Sequence, residues 1–347
     1  MKSKYRIIVF TLFAALWSDG AAATELESAY QVGRISARYT DEERSRPLLI
    51  EFWYPTTDSF DEPVVESKEP EIFRSVPSIE NASVADGRFP LLVFSHGTGG
   101  GRYSQAWLIE RVVKAGYVAV SVDHFGNTHD NKIPREFLKW WERAIDVQFV
   151  LSAVLGDGRF AAHIDADRIG GVGHSLGGYT QIALAGGQVD RLAPGVPKKL
   201  PPEFPKTDEK IDYATDAELN ASFAKYNERV KDERLRAFFV MAPAIGFGFY
   251  QPEQTAAIDA PIFIVSGKGD KETPIKKNAL VYDRLISSSQ VHLFGKRVGH
   301  YVFLGEATKF GRKVAPFVCK DHRSVDRAEI HEQTTELMLA FFAEHLN

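Results

Sequence analysis

One pentapeptide constrains this chain more than any other feature: Gly173-His174-Ser175-Leu176-Gly177, set in GGVGHSLGGY. The run Ile169 to Val172 ahead of it reads as a short strand, and Thr180, Ile182, Ala183 and Ala185 behind it have helical spacing. A chain that passes from strand to helix in so few residues must reverse sharply. The G-x-S-x-G pattern in that setting puts a serine at the apex of the turn in a strained conformation. Side chains at positions 173 and 177 would collide inside the turn, and Gly178 lets the new helix approach the sheet. The helix start points free N–H groups toward the serine oxygen. Ser175 is therefore the candidate nucleophile.

The surrounding pattern predicts an α/β architecture. Leu48 to Tyr54 reads as a strand ended by Pro55, and Leu91 to Phe94 as a second strand leading into a Gly-rich turn. Tyr103 to Ala115 has helical spacing and ends at Gly116; Tyr117 to Val122 is a further strand. Phe137 to Leu155 is a long helix candidate carrying Trp140 and Trp141. Phe238 to Met241, Ile262 to Val265 and Val291 to Phe294 are strands, and Val325 to Leu346 is a closing amphipathic helix. Strands separated by helices imply parallel βαβ units covered on both faces, hence a doubly wound, mostly parallel sheet in a single domain over residues 24–347. Two segments break the rhythm. Pro55 to Pro90 is polar and without a period. Gly187 to Arg236 opens with Pro194, Pro197, Pro201, Pro202 and Pro205 and turns helix-like from Asp216. An excursion of that length is read as an inserted, lid-like segment, with a surface decoration as the competing reading.

The start of the chain reads as a secretory signal peptide over residues 1–23. Lys2 and Lys4 precede the apolar run Ile7 to Trp17, and Ala21, Ala22 and Ala23 supply small residues for cleavage. The run is short for a bilayer span. The expectation is export to the periplasm or beyond, with no stable membrane anchor after cleavage. A single cysteine, Cys319, allows no internal disulfide and reads as a buried apolar filler. A net charge of −4 argues against a nucleic-acid partner. Nothing in the sequence sets an oligomeric state.

A serine nucleophile needs oxyanion donors, a base and an orienting acid. The turn His96-Gly97-Thr98-Gly99-Gly100 follows an apolar strand. The backbone N–H groups of Thr98 and Leu176 are the expected oxyanion pair. The turn lacks the lysine and the glycine spacing of a phosphate loop. After the serine, the chain order of an acid and then a histidine selects Asp270, in SGKGDKETP, and His300, in GKRVGHYVFL. Glu272 competes as the acid. His292, His322 and His331 are less well placed, His124 reads as a cleft wall, and His96 and His174 as braces for their turns. Of the aromatic residues Phe125, Trp140, Trp141, Phe247, Phe249 and Tyr250, the tryptophans read as core, and at least one of Phe247 and Phe249 as cleft lining.

FSHGTGG, VDHFGNT, IDADRIGGVGHSLGG, SGKGDKETP, GHYVFL and VDRAEIHEQTTELMLAFFAEHL together resemble bacterial predicted dienelactone hydrolases, near the platelet-activating-factor acetylhydrolase and polyester-hydrolase branch of the α/β hydrolases. The likeness runs from Tyr30 to the end, weakest in the two irregular segments. It implies an α/β-hydrolase fold and a cofactor-free, metal-free serine esterase with Ser175, Asp270 and His300 as triad and Thr98 and Leu176 as oxyanion donors. It implies a small-molecule or polymeric ester as substrate. Dienelactone hydrolases proper use a cysteine nucleophile where this chain has Ser175, so the family label does not name the substrate. An amidase or peptidase with the same triad, and a non-catalytic binding protein on the same scaffold, are the competing functions.

Overall fold

The computed structural model describes residues 30–59, 71–194 and 204–346. The signal peptide expected over residues 1–23 lies outside these, as do Pro197, Pro201 and Pro202. Among the described residues the strands are β1 (Gln31–Asp41), β2 (Arg46–Thr56), β3 (Ile79–Glu80), β4 (Phe89–Ser95), β5 (Val118–Val122), β6 (Ile164–His174), β7 (Leu235–Met241), β8 (Ile262–Gly267) and β9 (Ser289–Phe294). They form one sheet in the order β3-β1-β2-β5-β4-β6-β7-β8-β9. From β5 to β9 every neighbour is parallel, while β1–β2 and β2–β5 are antiparallel. The helices are α1 (Ala106–Lys114), α2 (Pro134–Leu138), α3 (Arg143–Gly156), α4 (Leu176–Leu184), α5 (Ala217–Tyr226), α6 (Ala279–Leu285), α7 (Lys309–Val314), α8 (Pro316–Cys319) and α9 (Arg327–His345).

Period-two alternation along the strands divides the core. Leu91, Val93, Val120, Phe238, Val240 and Ile264 face a cluster shared with α3, α4 and α6. Leu92, Phe94, Ala119, Phe239, Met241 and Val265 face the opposite cluster, with α1 and α9. Both faces are covered, so strands such as FPLLVFS are continuously apolar. The doubly wound, mostly parallel sheet expected from the sequence is the one observed.

Three local expectations change. The helix expected over 137–155 is broken: α2 stops at Leu138, Lys139 leaves helical geometry (φ −83°, ψ 46°), a 3-10 turn spans Trp140–Glu142, and α3 follows. The break aims charge inward. Asp146, fully buried, meets Arg44 at 2.8 Å and Arg46 at 3.0 Å, and Glu142 meets Arg46 at 2.9 Å. These pairs tie the β1–β2 hairpin to α3, and removing one partner of such a pair costs about 3–5 kcal/mol. Pro55 does not end β2, which runs on to Thr56. β5 pairs only with Ile50 to Trp53, so at Pro55 the ladder is one-sided and tolerates the missing N–H. β1 is an addition to the expected strands, although in QVGRISARYTD the residues Ile35, Ala37 and Tyr39 alternate with exposed polar ones, the pattern of a half-buried strand.

The described part of the inserted segment docks on the α2–α3 corner. Asp216 caps α5 through the Leu219 N–H (3.0 Å) and binds Arg135 at 2.6 Å. Glu218 meets Lys139 at 2.6 Å, and Trp141 Nε1 donates to Ser222 Oγ at 2.9 Å.

Candidate active site

The ends of β4, β6, β8 and β9 on one edge of the sheet carry the candidate residues. β4 lies between β5, which follows it in the chain, and β6, which lies on the other side. That reversal is a topological switch point, beyond which open α/β sheets bind their ligands.

Ser175 sits between β6 and α4 with φ 57° and ψ −118°, a conformation an L residue holds only under constraint. The constraint is backbone to backbone. The Ser175 N–H donates to the Met241 carbonyl at 2.9 Å. The Ser175 carbonyl accepts from Ala244 at 2.9 Å and from Tyr179 at 3.2 Å. A Cβ at Gly173 would overlap the Gly177 carbonyl, and one at Gly177 would overlap the Ser95 carbonyl, so neither position accepts a side chain. Leu176 is the first residue of α4, where a helical N–H has no intrahelical acceptor. Gly97 lies against Ser175, its missing Cβ only 3.2 Å from the serine Cβ. Thr98, half-buried, follows in a turn closed by Gly100 N–H on the Gly97 carbonyl (3.1 Å) and by Gly99 N–H on Asn127 Oδ1 (3.0 Å). Leu176 directly follows the serine in the chain, and Thr98 directly follows Gly97, which lies against it.

Asp270 and His300, thirty residues apart, meet directly: His300 Nδ1 donates to Asp270 Oδ2 at 2.8 Å, with both side chains buried. Thr273 completes the cradle, donating its N–H to Oδ1 at 2.7 Å and its hydroxyl to Oδ2 at 2.8 Å. Burial alone would raise the Asp270 pKa, but the bonds from His300 and Thr273 outweigh it and hold the carboxylate below its ordinary range. Glu272 is exposed, so the geometry sets Asp270 and not Glu272 on the imidazole. His174, beside Ser175, lies against His300, with ring centroids 4.7 Å apart and Nε2 3.3 Å from the His300 carbonyl. Thr273 was not singled out in the sequence; its signal is the D-x-x-T spacing by which a side-chain carboxylate captures a backbone N–H three residues on.

The oxyanion turn is braced from behind. His96 Nε2 accepts the His124 N–H at 3.2 Å, so Nδ1 carries the proton and donates to the Gly97 carbonyl at 2.7 Å. Arg143 Nη2 donates to the His96 carbonyl. His124 is not the cleft wall expected of it. It is fully buried, with Nδ1 on Asp146 Oδ2 at 3.0 Å and Nε2 on Ser95 Oγ at 2.9 Å. This Ser95–His124–Asp146 chain is buried throughout and serves as structure. Burial and the Arg143 charge pull His124 down to about 3 despite Asp146, and burial pulls Arg143 down to about 9.

The remaining candidates separate. His331 is buried, stacked on Trp107 at 3.6 Å, with Nε2 on the Val302 carbonyl (2.8 Å), so it braces the turn after His300. His292 is half-buried within β9, and His322 is exposed. Trp140 and Trp141 are core, as expected; Phe249 is core as well, and Tyr250 is exposed with its hydroxyl on Asp190. Phe125 and Phe247 remain half-buried. Cys319 is buried and unpaired.

No family model matches the chain. A monoacylglycerol lipase from Mycolicibacterium smegmatis is 28% identical over 228 residues, covering 58% of this chain and 78% of the relative. The solved structure of ferulic acid esterase from Streptomyces cinnamoneus aligns with a TM-score of 0.57 at 19% identity, over 94% of this chain and 92% of that one. The fold is that of an α/β hydrolase.

Proposed function

We propose that the chain is an exported serine hydrolase that cleaves carboxylic esters, akin to the dienelactone-hydrolase-like proteins its motifs resemble. The observations that carry this reading are the 2.8 Å Asp270–His300 bond and, packed on that imidazole, His174, the neighbour in the chain of a serine held at φ 57° on a strand-to-helix turn. His300, its Nδ1 proton committed to Asp270, presents Nε2 as base to Ser175 Oγ. The serine attacks the ester carbonyl, and the tetrahedral oxyanion forms between the N–H groups of Leu176 and Thr98. The imidazolium then protonates the leaving alcohol, and water attacks the acyl-serine by the same route in reverse. A lipase relative and an esterase neighbour in structure support ester over amide chemistry. The substrate is a small-molecule ester of short or medium acyl chain, with the 187–236 insertion as a lid over the bound ester.

The test pairs p-nitrophenyl esters of increasing chain length with p-nitroanilide amides, on the parent and on Ser175→Ala, alongside labelling by a fluorophosphonate. Ester turnover and labelling are expected, both abolished in the variant by a factor of about 10⁴ or more. Ordinary turnover by Ser175→Ala, or a preference for the amides, overturns the reading.

A further inference from the structure

The turn carrying His300 leads into α7 and α8, and here the usual placement of large and small residues is reversed. A surface helix normally turns its bulky apolar side chains to the core. In this segment the buried positions are Gly311, Ala315 and Cys319, while Phe310, Val314 and Phe317 are 39%, 50% and 69% exposed. Gly311 is pressed onto the backbone of Ile72, where no Cβ fits, and Ile72 is itself 38% exposed. Small residues hold the segment flat on the body, and its bulky residues face solvent. Tyr301, next to His300, meets Phe317 edge-on at 6.1 Å, which puts the patch beside the candidate site.

Charge singles out the partner. Lys309, Arg312, Lys313, Lys320 and Arg323 are all exposed along the same segment, in a chain whose net charge is −4. Its one carboxylate, Asp321, is taken by Arg327 at 2.7 Å. A shallow groove of about 690 Å³ alongside is lined by Arg312, Lys320 and Arg323, with Asp326 and Glu329 also on its wall. Asp326 is engaged in capping α9. Exposed phenylalanines interleaved with cations have the composition of a segment that lies in a membrane interface. Cations in that position are drawn to anionic headgroups, whereas an apolar face for a protein partner is depleted of lysine. We propose that residues 309–323 form a reversible docking surface for an anionic lipid bilayer. Phe310, Val314 and Phe317 enter the acyl boundary, and the flanking cations meet headgroup phosphates.

The test is cosedimentation of the full chain with vesicles of phosphatidylcholine alone or with one-third phosphatidylglycerol, at low and high salt. Residues 1–29 are common to every protein compared, so differences among variants report the patch. Partition onto the anionic vesicles is expected, falling at high salt. It should weaken about tenfold or more in Phe310→Ser/Phe317→Ser, and about fivefold for each charge removed in Lys309→Gln/Lys313→Gln. Hydrolysis of soluble p-nitrophenyl acetate is expected to be unchanged in both. The lysine pair, fully at the surface, keeps the test open should the serine variant misfold. Ser175→Ala should bind vesicles like the parent, so failure of the esterase reading leaves this measurement intact. Equal partition of parent and variants, or equal binding to neutral and anionic vesicles, overturns the proposal. So does a dimer of the parent that Phe310→Ser/Phe317→Ser dissolves, which would assign the face to a second copy.

Discussion

Acid should destabilise this protein well before its carboxylates titrate, through histidines buried in the neutral form. His124, His174 and His331 are each pulled down to about 3, in every case by burial first. Their surroundings do not reverse this. His124 faces Asp146 but also Arg143 and Arg46; His174 faces His300 and, further off, Asp270; His331 faces Arg327 and Arg111. A histidine in the unfolded chain titrates near 6.5. Between the two values the unfolded state binds the proton and the folded state does not, so stability is complete above about pH 6.5 and falls as the pH drops toward 3. At pH 5 each site costs about 2 kcal/mol, or about 6 kcal/mol for the three. With an unfolding entropy of roughly 2 cal/mol/K per residue, that is a fall in Tm on the order of 10 °C between pH 7.5 and pH 5. Circular-dichroism melts at constant ionic strength measure it. His96 is held down by burial in the same way, so His331→Gln removes one of four such proton sites and should shrink the fall by about a quarter, whatever it does to Tm at neutral pH. A Tm constant within about 2 °C across that range, or a fall unaltered in His331→Gln, would refute the argument.

Two further outcomes follow from the site. Asp270→Asn should lower kcat by about 10⁴, because the amide cannot hold His300 in the required tautomer, whereas Glu272→Gln, at an exposed position, should leave kcat within about twofold; steady-state kinetics on one ester separates them, and the opposite ranking would move the acid to Glu272. Gly177→Ala drives a methyl into the Ser95 carbonyl and should destabilise the fold by about 3 kcal/mol, read as the urea midpoint, and an unchanged midpoint would mean that the turn is looser than described.

How much was legible in the sequence follows from how local each signal is. The strand cores were legible because burial on both faces writes an apolar run of four or more residues. The elbow was legible because steric exclusion at positions 173 and 177 leaves only glycine. Asp270 and His300 were selected by chain order after recognisable strands; that they touch is legible only in the structure, because no local pattern joins them. The broken helix was missed because its apolar stripe is continuous through Lys139, and the break serves ion pairs to Arg44 and Arg46, about a hundred residues away in the chain. His124 was misplaced for the same reason: its partners Ser95 and Asp146 come from two other segments. The closing segment is a helix, as expected, but not the amphipathic one expected of it: Arg327, His331, Thr334 and Thr335 lie on its buried side, polar residues that composition alone would send to solvent.

The site's strain and its support are two parts of one arrangement. A serine at φ 57° costs on the order of 1–3 kcal/mol and persists only where its surroundings fix it several times over. Here β7 supplies that support, for Met241 holds the serine N–H and the chain just beyond it holds the carbonyl through Ala244. The same stretch brings the Ala242 carbonyl to 3.2 Å from the Thr273 hydroxyl oxygen, whose one proton goes to Asp270. The strand next to the elbow therefore clamps Ser175 and lies against Thr273 in the cradle of Asp270. The turn at Gly97 and Thr98 is packed on the same elbow from the other side, for Ser95 pairs with Gly173 and Gly97 lies against Ser175.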